Sequence, residues 1–414
     1  MKNMINPLKA LAMFAVAFGL IFTVSCSDDD DDKGPDCTEV ELYADADGDG
    51  LGDASAAAMV CPDEEGYVDN AYDNNDASDF ASSTIMDIVN NVEGLDSLKK
   101  YLNVYPNLVG ALSAQGTYTA FLPTNAAFIG LLETPGFPQN ISSINPDVIE
   151  GVLAYHVAAT AYTSAELTSG TEVTTISQGE KITVNSDGTL KTGSSNPNIV
   201  VEVADIVASN GVAHITSSVL ISPSVGASLT PLLNTLGGTI MLGADFSLLA
   251  QAILKADTFA TSASQATIVS MLADKDATLT VFAPSNGTFE TAADGNFGDQ
   301  NGEASAAEIA AFMNFYSGQQ FYGIIATHLV TSAVGPADLT TGATFTAASG
   351  ATLTVLTTEA PTNVDKGILT GIAIDSNGDT TAEAQVAVPS TASDALVQPN
   401  GQVHVIAGLM TPPQ

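Results

Sequence analysis

Two long stretches of this chain carry the same three motifs in the same order, so one fold must serve both. Phe121-Leu122-Pro123-Thr124-Asn125-Ala126-Ala127-Phe128 aligns with Phe282-Ala283-Pro284-Ser285-Asn286-Gly287-Thr288-Phe289 at an offset of 161 residues. Tyr155-His156-Val157 aligns with Thr327-His328-Leu329 at an offset of 172. Asn210-Gly211-Val212-Ala213-His214-Ile215 aligns with Asn400-Gly401-Gln402-Val403-His404-Val405 at 190. The growing offset places insertions of about eleven and then eighteen residues in the second copy. All four histidines of the 414-residue chain fall on matched positions.

The local chemistry of each copy is that of a mixed α and β domain. Thr117 to Phe121 and Ala277 to Phe282 are rich in β-branched and aromatic residues and run closely into proline, as strands do. Thr124 and Ser285 stand where a helix cap would accept a backbone N–H. Ile85, Ile88, Val89 and Val92 recur at helical spacing, as do Leu248, Leu249, Ala252 and Ile253. Asn210-Gly211 and Asn400-Gly401 are turn signals that lead into apolar strands.

These motifs, in this order and twice over, resemble those of fasciclin-like domains. The resemblance covers residues 83–222 and 228–413. It implies an α+β fold: two tandem wedge-shaped β-sandwich domains with helices packed at one side. In that family the Tyr-His pair is associated with adhesive contacts, which makes Tyr155 and His156 the candidate partner-binding residues. The second copy has Thr327 in place of the tyrosine and is expected to bind more weakly. The competing reading is that these histidines, and His214 and His404, hydrogen-bond within the fold and orient strands. The aspartate often found three residues past the last histidine is replaced by Ser217 and Ala407.

The first 25 residues read as an export signal. Lys2 and Lys9 precede an apolar run, Ala10 to Val24, too short to span a bilayer. It ends Thr23-Val24-Ser25-Cys26, similar to the lipobox of bacterial lipoproteins, which makes Cys26 the expected lipidation site. An ordinary secretory signal is the alternative. The aspartate run Asp28 to Asp32 looks like the surface-export signal of some outer-membrane lipoproteins, or else a solvated spacer. Residues 26–82 then form a lipidated acidic stalk, and the expected location is the outer membrane, at the cell surface.

Between residues 28 and 79 lie 19 acidic side chains and one lysine, a density expected to stay extended unless neutralised. Asp45, Asp47, Asp49 and Asp53 alternate with small residues, an arrangement that wraps one side of a hard cation such as calcium. Asp69, Asp73, Asn75 and Asp76 are placed to complete the shell. The segment resembles the aspartate-rich repeats of thrombospondin type three. A solvated acidic linker is the plainer reading. Ala56 stands where an EF-hand would need its glutamate. Cys37 and Cys61 flank the loop, and in an exported chain they favour one disulfide over two free thiols, worth about 3 kcal/mol by loop entropy.

Charge limits the partners. With 47 acidic residues, ten lysines and no arginine, the net charge is −37, which argues against nucleic acid and anionic lipid. No Gly-x-Ser-x-Gly elbow, His-Glu-x-x-His or phosphate-binding loop is legible, so catalysis is not expected. Asp375-Ser376-Asn377-Gly378-Asp379 with Glu383 reads as a polar turn or a second cation loop, and Asp294 to Glu303 as a mobile loop. The expected function is adhesion to neighbouring cells, extracellular matrix or glycans, held by a lipid anchor. The rival is a glycan-capturing accessory lipoprotein of a surface uptake system, disfavoured by the absence of tryptophan.

Overall fold

The computed structural model describes residues 37–73, 80–193, 198–298, 304–357, 363–364, 367–388 and 397–412. Cys26, the export signal, the aspartate run, Asn75 and Asp76 lie outside the described residues. Each copy of the repeat is built on a parallel strand pair. In the first, Gly211–Thr216 lies beside Tyr118–Pro123 in the register Gly211↔Tyr118 to Thr216↔Pro123. In the second, Gly401–Ala407 lies beside Leu279–Pro284 in the register Gly401↔Leu279 to Ile406↔Pro284. The first and third motifs, some ninety residues or more apart in sequence, are therefore direct neighbours.

Side chains alternate across these strands and divide each domain into two cores. Ala120 and Leu122 face a helical core with Ile85, Ile88, Val89, Leu98 and Leu112. Phe121 faces the opposite way, towards Tyr155, Val173, Ile182 and Leu190. The second copy repeats the division: Val281 and Ala283 pack with Leu249, Ile253 and Phe321, whereas Phe282 packs with Leu353, Val355 and Ile374. Both copies are thus α+β, a helical layer and further strands on either side of the same strand pair. The later insertion extends the second copy into one nine-stranded sheet, where the first has separate four- and three-stranded sheets. The helical periodicities hold, since Ile85–Asn91 and Ser247–Ser262 are helices with the expected apolar faces buried.

Three expectations about local structure differ. Thr124 caps its helix by accepting the Ala127 N–H, but Ser285 makes no side-chain cap. Asp294 belongs to helix Asn286–Phe297 and is buried rather than in the expected loop, whose residues 299–303 lie outside the described residues. The largest difference is in the acidic segment, expected to be extended. There Val40–Ala44 pairs with Ala57–Val60 and Tyr67–Val68 in an antiparallel sheet. Leu51 is fully buried in the helical core of the first domain, and the Glu93 N–H donates to the Tyr72 carbonyl at 2.9 Å. Repulsion is offset locally because several of these carboxylates accept backbone N–H bonds, and the cross-link Cys37–Cys61 closes the sheet. Among the described residues no helix is long and apolar enough to cross a membrane.

Candidate functional site

The acidic loop is built by its own hydrogen bonds. Asp45 accepts N–H bonds from Gly48 (2.8 Å), Asp49 (3.1 Å) and Gly50 (3.1 Å), which winds the chain around its carboxylate. Asp49 Oδ1 accepts from Leu51 N at 2.9 Å. Asn70 ties the far side, accepting from Gly52 N and donating to the Gly50 carbonyl. One carboxylate oxygen from each of Asp45, Asp47 and Asp49 lies within 4.8 Å of the other two. Oδ2 of Asp47 and Oδ2 of Asp49 are buried and accept no hydrogen bond. Buried carboxylate oxygens are costly without a partner. Burial lifts the Asp49 carboxyl to about 7 against the pull of the Leu51 N–H, and the charges of Asp47, Asp73 and Asp45 add to the rise. Converging, unsatisfied oxygens are the donor set a hard cation takes.

Asp53 is not brought into this group. Its carboxylate accepts from the Ser55 N–H and hydroxyl, which hold its pKa below the usual range. Its backbone instead bridges to Asp73, which is buried and close enough to act on Asp49. Asp73 is thus a further buried carboxylate near Asp49, outside the three converging oxygens. The roles of Asn70 and Leu51 were not read from the sequence; the signal available was an amide and a lone apolar residue inside an acidic run.

Tyr155 and His156 are not surface residues. They are 0% and 3% exposed, so neither side chain meets a partner directly, a correction to the expected binding role. The Tyr155 hydroxyl donates to the Lys181 carbonyl at 2.7 Å. His156 Nδ1 lies 2.7 Å from the Val152 carbonyl while its Nε2 accepts the Leu220 N–H at 2.9 Å. His328 repeats this with Ile324 O and Met410 N. A carbonyl only accepts and an N–H only donates, so both rings are neutral with the proton on Nδ1. His214 uses Tyr162 O and Asp205 N and stacks on Phe121 at 5.5 Å; His404 uses Val334 O and stacks on Phe282 at 5.3 Å. Thr327, in the tyrosine's place, bonds to Gly323 O and the Ser349 hydroxyl. In the second acidic loop Asp375 accepts from Asn377, Gly378 and Thr380, and Glu383 from Ser376, and one oxygen each of Asp375, Asp379 and Glu383 lies within 4.8 Å of the other two.

Burial pushes His156 and His328 down to about 4. Their folded pKa lies below the unfolded value near 6.5, so the stability they contribute is complete above about pH 6.5 and is lost as pH falls through 4. Each accounts for about 3 kcal/mol on that scale. Proton NMR of the imidazole rings checks this. The His156 and His328 signals should stay unshifted down to about pH 5; midpoints near 6.5 would contradict the burial.

These paired devices define a class. The Fasciclin domain family model matches residues 93–222 and 255–412, well over half of the chain, and the chain belongs to the fasciclin family. The match to "Protein sll1483" of Synechocystis is 38% identical over 122 residues, covering 28% of this chain and 62% of that protein. Transforming growth factor-beta-induced protein ig-h3 of Sus scrofa is 34% identical over 117 residues, 28% of this chain and 16% of that protein. Immunogenic protein MPB70 of Mycobacterium bovis is 34% identical over 129 residues, covering 31% and 61%. The chain thus spans less than two thirds of each of these curated relatives. A solved FAS1 domain pair from the insect cell adhesion molecule Fasciclin I aligns with 76% of this chain and 96% of its own, at 16% identity and a TM-score of 0.30.

Proposed function

We propose that this chain is a lipid-anchored adhesion protein of the bacterial outer surface, whose acidic module binds calcium and presents two fasciclin domains to neighbouring cells, matrix or glycans. Cys26 carries the lipid, and the aspartate run that follows directs export. The observation that carries the reading is the union, in one chain, of a tandem fasciclin pair with a disulfide-closed acidic module packed on its first domain. Calcium would be held by Asp45, Asp47 and Asp49, with Asp73 behind Asp49. Many weak contacts on an anchored protein then sum through avidity.

Two experiments test it. Calorimetric titration of the full mature chain with calcium should give one saturable event in the micromolar to millimolar range, about the span of sensor and extracellular sites. The Asp47→Asn, Asp49→Asn double variant should lose it; no heat in the parent chain removes calcium from the account. Beads coated with the mature chain should clump with each other or with cells, and dispersed beads would sink the adhesive role.

A further inference from the structure

A cleft of 280 Å³ lies between the two domains and belongs to none of the features above. Its first wall is helix Pro146–Tyr155, and its second is helix Ser247–Ser262 of the other domain. The walls are tied to each other: the Asn145 N–H donates to the Leu242 carbonyl at 2.6 Å, and Gln251 Nε2 donates to Asp147 Oδ2 at 3.2 Å. The turn Ser177-Gln178-Gly179-Glu180 closes a third side, with Gln178 held at φ +50°. Glu180 Oε1 accepts the Ser224 N–H at 3.3 Å. Its other oxygen, Oε2, is buried with no close hydrogen bond of its own, the Ser222 and Ser224 hydroxyls lying near the carboxylate.

The lining selects its ligand. Acceptors are supplied by Glu180 and Asp147, mixed groups by Ser177, Ser222 and Gln251, and no lysine lines the cleft, so an anion is excluded. The space is far larger than a bare cation needs. A compact ammonium group would satisfy the carboxylates and leave the apolar wall of Met241, Leu254 and Val148 uncovered, and an alkylammonium would cover that wall but offer no acceptor to the Gln251 amide. A pyranose ring meets both requirements, donating hydroxyls to the carboxylates and packing its C–H face on the apolar wall. We infer that this interdomain cleft binds one residue of a neutral saccharide, with Glu180 as the principal acceptor and Gln251 and Asp147 joining the ligand across the domain boundary.

The test is saturation-transfer NMR on the full mature chain with methyl glycosides of glucose, galactose and mannose and with N-acetylglucosamine. At least one should bind saturably, and Glu180→Gln should weaken it about tenfold or more while the unfolding midpoint stays put. Gln251→Ala, which leaves Glu180 intact, should weaken the same sugar. Overturning results are no saturable binding by any of the four, binding indifferent to both substitutions, or binding of cadaverine in place of sugar. A chain that clumps beads yet binds no sugar overturns this inference alone; one that binds sugar yet clumps nothing overturns only the adhesive role.

Discussion

Asn400→Ala should cost the second domain about 4 kcal/mol, and Asn210→Ala should do the same to the first. Asn400 is 1% exposed and works with all of its amide: Oδ1 accepts the Leu236 N–H at 2.9 Å, and Nδ2 donates to Leu272 O and Asp274 O at 3.0 and 2.9 Å. Asn210 makes the matching set with Ile85 N, Leu112 O and Ala114 O. Each asparagine thus pins the start of the domain's first helix to the end of a later one, far away in sequence. Alanine leaves at least two backbone groups inside the protein without partners, Asp274 O keeping only the Ala277 N–H at 3.4 Å, each at about 1–3 kcal/mol. That is a large share of the 5–15 kcal/mol by which a domain is stable, on the usual scale. Urea unfolding of the full chain checks it, with exposed Gln265→Ala as a control expected within about 0.5 kcal/mol.

The glycine that follows is the second position of large effect. Gly211 and Gly401 sit at φ +153° and +143°, where side chains are strained. A Cβ there would meet the facing strand's backbone at 2.0 Å (Tyr118 O) or 1.9 Å (Leu279 O). The obstacle is backbone, so no rotamer relieves it, and the parallel pair at the centre of the domain must part. Gly211→Ala and Gly401→Ala should therefore each unfold their domain or leave the chain insoluble. The contrast is Gly110→Ala, within helix Pro106–Ser113 and with nothing inside 4 Å, which should stabilise by about 0.5–1 kcal/mol. Thermal unfolding of the three variants decides. Equal midpoints for Gly401→Ala and the parent would remove the close approach from the account.

The Asn-Gly-x-x-His motif was legible in the sequence because each of its members meets a demand that few residues satisfy. The amide must serve three backbone groups, the glycine must admit a passing strand, and the histidine must reach a backbone carbonyl while buried and stacked on a phenylalanine. Such demands recur with the fold, so the two copies kept the same letters. The Tyr-His pair was legible as a motif but not as a buried one, since a ring that bonds to Lys181 O or Leu220 N looks in sequence like any other polar group. The acidic segment misled for a different reason. Its charge count suggests an open chain, but its aspartates spend their oxygens on neighbouring N–H groups, and Leu51 and Tyr72 supply the docking points. Asp53 was misplaced because Ser55, two residues on, competes for its carboxylate. The interdomain cleft depends on contacts such as Gln251 with Asp147, which no local pattern announces.

Grip and attachment can be tested together in one comparison. Bacteria displaying the wild-type chain would be allowed to settle in calcium beside cells making equal amounts of the Cys26→Ser chain. Expected is rapid clumping of the wild-type cells alone, reversed by a chelator. Equal settling of both strains, with the wild-type chain present on the surface, would contradict it.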